Sequence, residues 1–316
     1  MTIAVLGATG LVGRYLVEAL AEQRSERLIG TFRHRPPYDV PQIDWMQCDL
    51  RQTDAAKPVL EKADCAVLCA GQLATSSVLQ HDPVTPIVDT LRIVTNVLEA
   101  AAAVRVPRFV LVSSCTVYPA LSRPAVESDA MTGEPQGQWF GVGSMHRYGE
   151  QQLRWYVERL QRIGSGIVLR PTLVYGRYDD FSPQTGHFVP TLISKVVDRV
   201  RPIEIWGNGE QSRNLLHGAD LAQAVLAALD ADLPTYATFN VVSPDDVTVN
   251  RIVRELVDLD GFIDADIRHD LARGGGPSTL AVSGSAFGAA TGWKARTGLR
   301  EGLSDAVAWY RQANKS

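Results

Sequence analysis

Four cysteines, Cys48, Cys65, Cys69 and Cys115, are too few and too irregularly spaced for a disulfide framework or a zinc centre. Three lie in or beside apolar, strand-like runs, the usual setting of buried thiols in a reducing cytoplasm. Cys65 and Cys69 stand four apart, but no histidine or second cysteine pair accompanies them, so no metal is expected. An excess of either charge is also lacking: 31 Lys and Arg face 35 Asp and Glu, a net −4. That balance gives no footprint for nucleic acid or a bulk membrane surface, while leaving a local basic cluster free to take a phosphate. No uncharged apolar run is long enough to span a bilayer. No basic stretch with an apolar core opens the chain, because "TIAVLG" reads as a strand from the second residue. Internal repeats and low-complexity linkers are absent. A cytoplasmic globular protein is expected, and 316 residues, 45% hydrophobic, suffice for one large domain or two intimate ones.

What is present is alternation. "TIAVLG", "RLIGTF", "IDWMQCDL", "DCAVLCAG", "RFVLVSSCTVY" and "GIVLRPTLVYG" read as six strands. "LVGRYLVEALAEQ", "PIVDTLRIVTNVLEAAAAV" and "GEQQLRWYVERLQ" read as helices between them. Apolar strands separated by helices imply an α/β fold, a doubly wound parallel sheet covered on both faces. Beyond about residue 176 short pieces rich in Gly, Pro and Asp break the pattern, with "DLAQAVLAALD" a clear helix, "TFNVVS" a strand and "GLREGLSDAVAWYRQ" a closing helix. The expected division is a Rossmann-type dinucleotide-binding domain over 1–171, to which 215–242 return, and a smaller interleaved substrate-binding lobe from 172–214 and 243–316. A ligand is expected in the cleft between them.

The first strand runs into "GATGLVG", with Gly7, Gly10 and Gly13 between strand and amphipathic helix. Gly7 permits the tight turn, Gly10 lets backbone approach a pyrophosphate, and Gly13 allows close helix–strand packing. The free N–H groups of the helix N-terminus face the anion, beside Thr9 and Leu11. At the end of the second strand an NAD site usually places an acid. Here the chain reads "TFRHRPP", and Arg33, His34 and Arg35 suit a 2′-phosphate, so NADP(H) is expected. In "CDL", Asp49 is placed to bond the adenine amino group, with Leu50 beside the ring. Ala70 and Gly71, at the end of the fourth strand, and Pro171, in the sixth, complete the expected cofactor set.

Together "GATGLVG", "CDL", "DCAVLCAG", "VLVSSCTVY", "VLRPTLVYG", "WGNGEQSRNLLHGADLAQAV" and the late "GW" resemble, in order and over nearly the whole chain, the extended short-chain dehydrogenase/reductase family. The likeness is to its nucleotide-sugar epimerases, dehydratases and ketoreductases. It implies that Ser114, four residues before Tyr118, bonds the substrate carbonyl. Thr116 lies on the same side if the strand stays regular. It implies that Arg213 contacts a nucleotide diphosphate, that Arg273 in "LARGGGP" stands where a second phosphate-binding arginine is often found, and that Val189 and Pro190 in "HFVP" touch the nucleotide. It also implies a homodimer paired through helices around 85–104 and 146–163.

The resemblance breaks at one place. The family's catalytic tyrosine and lysine align with Val142 and His146 of "GVGSMHRYGEQQL". Valine transfers no proton. A histidine at its ordinary pKa of about 6.5 suits a general acid, or holds the nicotinamide ribose. Tyr148, six residues beyond Val142, points elsewhere on a helix and is expected to pack in the core. Phe140 has no proton to give, and Tyr118 and Tyr175 stand in reserve at neighbouring strand ends. The asparagine that usually supports the lysine aligns with Thr90. Cys115 and Thr116 occupy the positions of a dehydratase's acid pair, which argues against dehydration. A ketone reduction demands least of such a centre. The expected activity is therefore an NADPH-dependent reduction of a nucleotide-linked keto-deoxysugar, a dTDP-4-keto-6-deoxyhexose being the best specific guess. An epimerase with a displaced acid/base, a non-catalytic NADP-binding sensor and a reductase of small ketones remain as alternatives.

Overall fold

A computed structural model describes residues 1–72, 74–273 and 281–313. The apolar runs that read as strands become β1 (Thr2–Leu6), β2 (Arg27–Phe32), β3 (Ile43–Gln47), β4 (Cys65–Leu68), β5 (Arg108–Val112) and β6 (Ser165–Pro171). They join β10 (Tyr236–Val241) in a seven-stranded sheet of order β3-β2-β1-β4-β5-β6-β10, every neighbouring pair parallel. This is the Rossmann-type doubly wound sheet. β4 is buried along its whole length, as continuous apolar strands covered on both faces should be.

On one face α1 (Leu11–Gln23) and α7 (Gly218–Asp230) pack over Val5, Val67, Val110 and Leu169. On the other, α2 (Lys57–Leu60), α4 (Thr85–Val104) and α5 (Phe140–Arg154) pack over Leu6, Leu68 and Leu111. α3 (Ser76–His81) follows the β4 end. A second core gathers α6 (Phe188–Val197), α8 (Val249–Asp260) and α10 (Leu299–Ala313) against two small sheets. One holds β7 (Leu173–Tyr175), β9 (Ser212–His217) and β11 (Asp246–Thr248). The other holds β8 (Ile203–Trp206) and β12 (Ile267–Asp270). α9 (Ser285–Thr291) returns to the large sheet, where Phe287 packs on Phe239. Among the described residues no helix is long and apolar enough to cross a membrane.

Three readings change. The fifth strand does not continue to Tyr118 but stops at Val112, and Cys115–Val117 form a 3-10 turn. The sixth divides at Thr172, whose hydroxyl donates to Asn214 Oδ1 at 2.7 Å, so that β6 and β7 join different sheets. The helix read from "GVGSMHRYGEQQL" begins at Phe140 and ends not in a regular turn but in a wider π turn over Trp155–Arg159. Its glycines are contact points. A Cβ on Gly143 would lie 2.3 Å from the Thr116 carbonyl oxygen, and one on Gly149 would lie 2.8 Å from Val94 of α4.

Candidate functional site

The carboxyl ends of β1, β4, β5 and β6 converge on one edge of the sheet, and the glycine loop lies there. Gly7 has a positive φ of 89°, and a Cβ on it would meet Ala70 at 2.8 Å. A Cβ on Gly13 would stand 2.1 Å from the Gly7 carbonyl oxygen, so helix and loop touch with no room for a side chain. Thr31 Oγ1 accepts from Gly7 N–H at 2.9 Å and the Thr31 carbonyl from Ala8 N–H at 2.9 Å, which fixes the loop to β2. Gly10, the α1 N-cap, is exposed and no side chain caps that terminus. The helix thus presents uncapped N–H groups over a flat backbone, a cradle that fits a pyrophosphate.

Of the basic group, His34 and Arg35 are exposed and Arg33 is half-buried. Arg35 Nη1 donates to the carbonyls of Thr9 at 3.2 Å and Tyr178 at 3.3 Å, which pins it above the loop. Both oxygens of Asp49 accept from Arg51, at 2.9 and 2.7 Å, and Arg51 also donates to Asp89 at 2.9 Å. The Arg51 hydrogen bonds hold the Asp49 carboxyl down at about 2. The expected adenine contact therefore shares its carboxylate with an arginine. Leu50 is buried. Thr90, in the asparagine position, accepts from Gln72 N–H at 2.9 Å and packs against Gly71, so it supports the loop after β4. Pro171 is buried at the β6 end, in register with Val241.

Ser114 and Thr116 meet through the 3-10 turn, although no regular strand carries them. Ser114 Oγ accepts from Thr116 N–H at 3.2 Å and from Thr116 Oγ1 at 3.1 Å. With two donors on its oxygen, the Ser114 hydroxyl has its own proton left to give. α5 abuts this turn: Arg147 Nε donates to the Val117 carbonyl at 2.7 Å. One step before it, His146 packs with part of its surface exposed, and burial pushes its pKa down to about 4, partly opposed by Glu150. The imidazole is therefore neutral at pH 7. It can hold a hydroxyl, and the favoured neutral form counts against the acid expected there. Val142 is buried.

The reserve tyrosines do not serve. Tyr118 is 1% exposed, donates to Asn240 Oδ1 at 2.5 Å and accepts from Arg170 at 2.8 Å, with burial pushing its phenol up to about 12. Tyr175 is buried edge-on to His217 with ring centroids 5.3 Å apart. Tyr148, expected in the core, is instead 55% exposed on the outer face of α5. Cys65 is buried and Cys48, Cys69 and Cys115 half-buried; all are free, and burial pushes the Cys115 thiol up to about 11.

A histidine that the sequence reading passed over stands next to a loop bonded to Thr75 and Ser77, which follow β4. His187 is the N-cap of α6, and its Nδ1 bonds Asp179 Oδ1 at 3.2 Å, where Asp179 is almost wholly buried. The carboxylate orients the ring and leaves Nε2 on the far side. The loop between them is tied to the loop after β4: Thr75 Oγ1 donates to the Thr185 carbonyl at 3.3 Å and Ser77 Oγ to that of Gln184 at 2.8 Å. Eight residues separate the pair, with no periodicity to betray it. The next residues behave differently from expectation, because the Val189 side chain is wholly buried in the second core and Pro190 is also buried. Any contact of Val189 with a nucleotide falls to its backbone.

Arg213 lies half-buried on β9, its Nη1 donating to the Ser212 carbonyl at 2.7 Å, and burial lowers its pKa from the ordinary arginine value. Arg273 is exposed, 3.3 Å from Asp270 and 5.3 Å over the Trp206 ring. A cavity of about 870 Å³ lies elsewhere, between the α1 C-terminus, α7 and residues 291–296, and none of these candidate residues lines it.

Residues 3–241 match the family model described as the NAD dependent epimerase/dehydratase family. A putative GDP-L-fucose synthase 2 of Arabidopsis thaliana is 28% identical over 98% of this chain and 91% of its own. A dTDP-4-dehydro-6-deoxy-D-allose reductase of Streptomyces bikiniensis is 25% identical over 98% of this chain and 96% of its own. Among solved structures, MoeE5 in complex with UDP-glucuronic acid and NAD superposes with a TM-score of 0.83 at 24% identity, over 99% of this chain and all of that one.

Proposed function

The chain belongs to the NAD dependent epimerase/dehydratase family, and from that premise we propose that it is an NADP(H)-dependent ketoreductase of a nucleotide-linked 4-keto-6-deoxysugar. The observation that carries this reading is the Ser114 hydroxyl, whose acceptor sites are filled by Thr116 and whose proton is free to bond a carbonyl oxygen. When bound, the nicotinamide supplies the hydride. Gly7, Gly10, Gly13, Thr9 and Leu11 hold the pyrophosphate, Arg33, His34 and Arg35 take the 2′-phosphate, and Asp49, Leu50, Ala70, Gly71 and Pro171 line the remainder. His146, neutral, bonds the nicotinamide ribose. Ser114 polarises the carbonyl, supported by Thr116, and His187, oriented by Asp179, gives the proton to the new alkoxide. Arg213, and with it Arg273, takes the nucleotide diphosphate. The names of two relatives, one a GDP-fucose and one a dTDP-sugar protein, support both bases as candidates, and dTDP is our first choice. We also propose a homodimer, because Phe140 and Tyr148 of α5 and Trp155 of the π turn after it are each more than half exposed.

The test is turnover of NADPH against a panel of dTDP- and GDP-linked 4-keto-6-deoxyhexoses. Ser114→Ala is expected to lower kcat ~10²- to 10³-fold, and His187→Asn to abolish the reaction while NADPH still binds. Full activity in both variants, or turnover of none of the panel, overturns the reading.

A further inference from the structure

We propose that Glu150 and Arg147, one turn apart on α5, are positioning residues that clamp the Ser114–Thr116 turn from both ends. The catalytic part of this inference rests on the function proposed above. The upstream anchor is Ser113, which leaves β5 with its N–H bonded to the Leu169 carbonyl at 2.8 Å and its hydroxyl donating to Glu150 Oε1 at 2.5 Å. The downstream anchor is the Val117 carbonyl, held by Arg147 Nε at 2.7 Å. Between these two points lie Ser114 and Thr116, and Gly143 presses its backbone against the Thr116 carbonyl.

The upstream anchor is itself immobilised. Arg170 grips Glu150 with Nε at 3.0 Å and Nη2 at 2.6 Å, while its Nη1 donates to the Tyr118 hydroxyl and to the Glu127 carbonyl, both at 2.8 Å. Tyr118 passes the chain to Asn240, whose Nδ2 donates to the Ser283 carbonyl at 3.0 Å. Ser113, Glu150, Arg170, Tyr118 and Asn240 are each no more than 5% exposed. A buried ion pair adds little net stability compared with apolar packing, but it fixes orientation when every partner is satisfied. Here what it orients is the residue next to the carbonyl-binding serine. The helix that has Val142 and His146 where the family's tyrosine and lysine align thus holds the catalytic turn.

Ser113→Ala removes one hydroxyl and keeps the Arg170–Glu150 pair, so it is the primary variant. Arg147→Gln is the second. Each is expected to lower kcat ~10- to 100-fold with the substrate KM and NADPH affinity unchanged, since a small misplacement of a reacting group has that effect. Amide hydrogen exchange at residues 114–118 of the substrate-free protein is expected to speed up at least ~10-fold in both. In the Ser114→Ala background, Ser113→Ala should cost nothing further, because a residue acting through Ser114 has nothing left to position. An unchanged exchange rate at 114–118, or an equal cost with and without Ser114, overturns the proposal. Faster exchange in the variants alongside a wild type that reduces no keto-sugar sustains the clamp and sinks the reaction assigned above.

Discussion

His146 offers the sharpest test of how the centre works. Burial pushes its pKa from 6.5 down to about 4, so the folded protein resists a proton that the unfolded chain accepts. Between pH 6.5 and 4 the unfolded state therefore binds more protons, and stability falls as the pH falls through that window. Above 6.5 the effect is absent, and below 4 it is complete. At ~1.4 kcal/mol per pH unit the gap amounts to ~3 kcal/mol, an upper bound because part of the ring remains exposed. The perturbation is acidification of the wild type and of His146→Asn, which cancels the background from the other histidines. Thermal or denaturant unfolding at pH 7 and pH 4.5 should show the wild type losing up to ~3 kcal/mol more than the variant. A ring-proton titration of the wild type by NMR should lack a midpoint near 6.5 for the resonance that disappears in the variant. A midpoint at 6.5 for that resonance, with equal acid sensitivity of the two proteins, would refute the argument and return His146 to the list of acids.

Two further outcomes follow from the cofactor loop. Gly13→Ala puts a methyl 2.1 Å from the Gly7 carbonyl oxygen, and the loop must move; a loss of ~1–3 kcal/mol and a failure to bind NADPH by calorimetry are expected, whereas wild-type affinity would contradict the packing. Arg33→Ala should weaken NADPH ~10- to 100-fold and leave NADH untouched, the lost charge-assisted hydrogen bond costing ~1.5–3 kcal/mol, and equal losses for both cofactors would remove the case for a 2′-phosphate site.

The legible parts of the molecule were those set by local pattern. β1, the glycine loop and α1 are consecutive in sequence, and apolar runs with glycines at fixed intervals describe them fully. The turn at Cys115–Val117 was not legible, because "VLVSSCTVY" has strand composition throughout. What holds its two ends are a hydrogen bond from Arg147 to the Val117 carbonyl and one from Ser113 to the Glu150 carboxylate, partners thirty or more residues apart. The start of α5 was legible to within a residue at Gly141, although Gly141, Gly143 and Gly149 lower helix propensity, and only tertiary contact shows why they are there. Tyr148 was misplaced because its spacing fixes a direction on the helix and not what lies in that direction. The Asp179–His187 pair crosses an irregular loop, where spacing carries no information.

The last helix has a consequence of its own. α10 sends Leu303, Ala306 and Val307 into one apolar interior and Trp309 against the other. Both interiors are left open until that single segment docks. Removing it by truncation would expose apolar surface in two places at once, and the cost would greatly exceed what fifteen residues at a periphery would imply. One helix thus bridges two cores built from distant parts of the chain, and the stability of each depends on it.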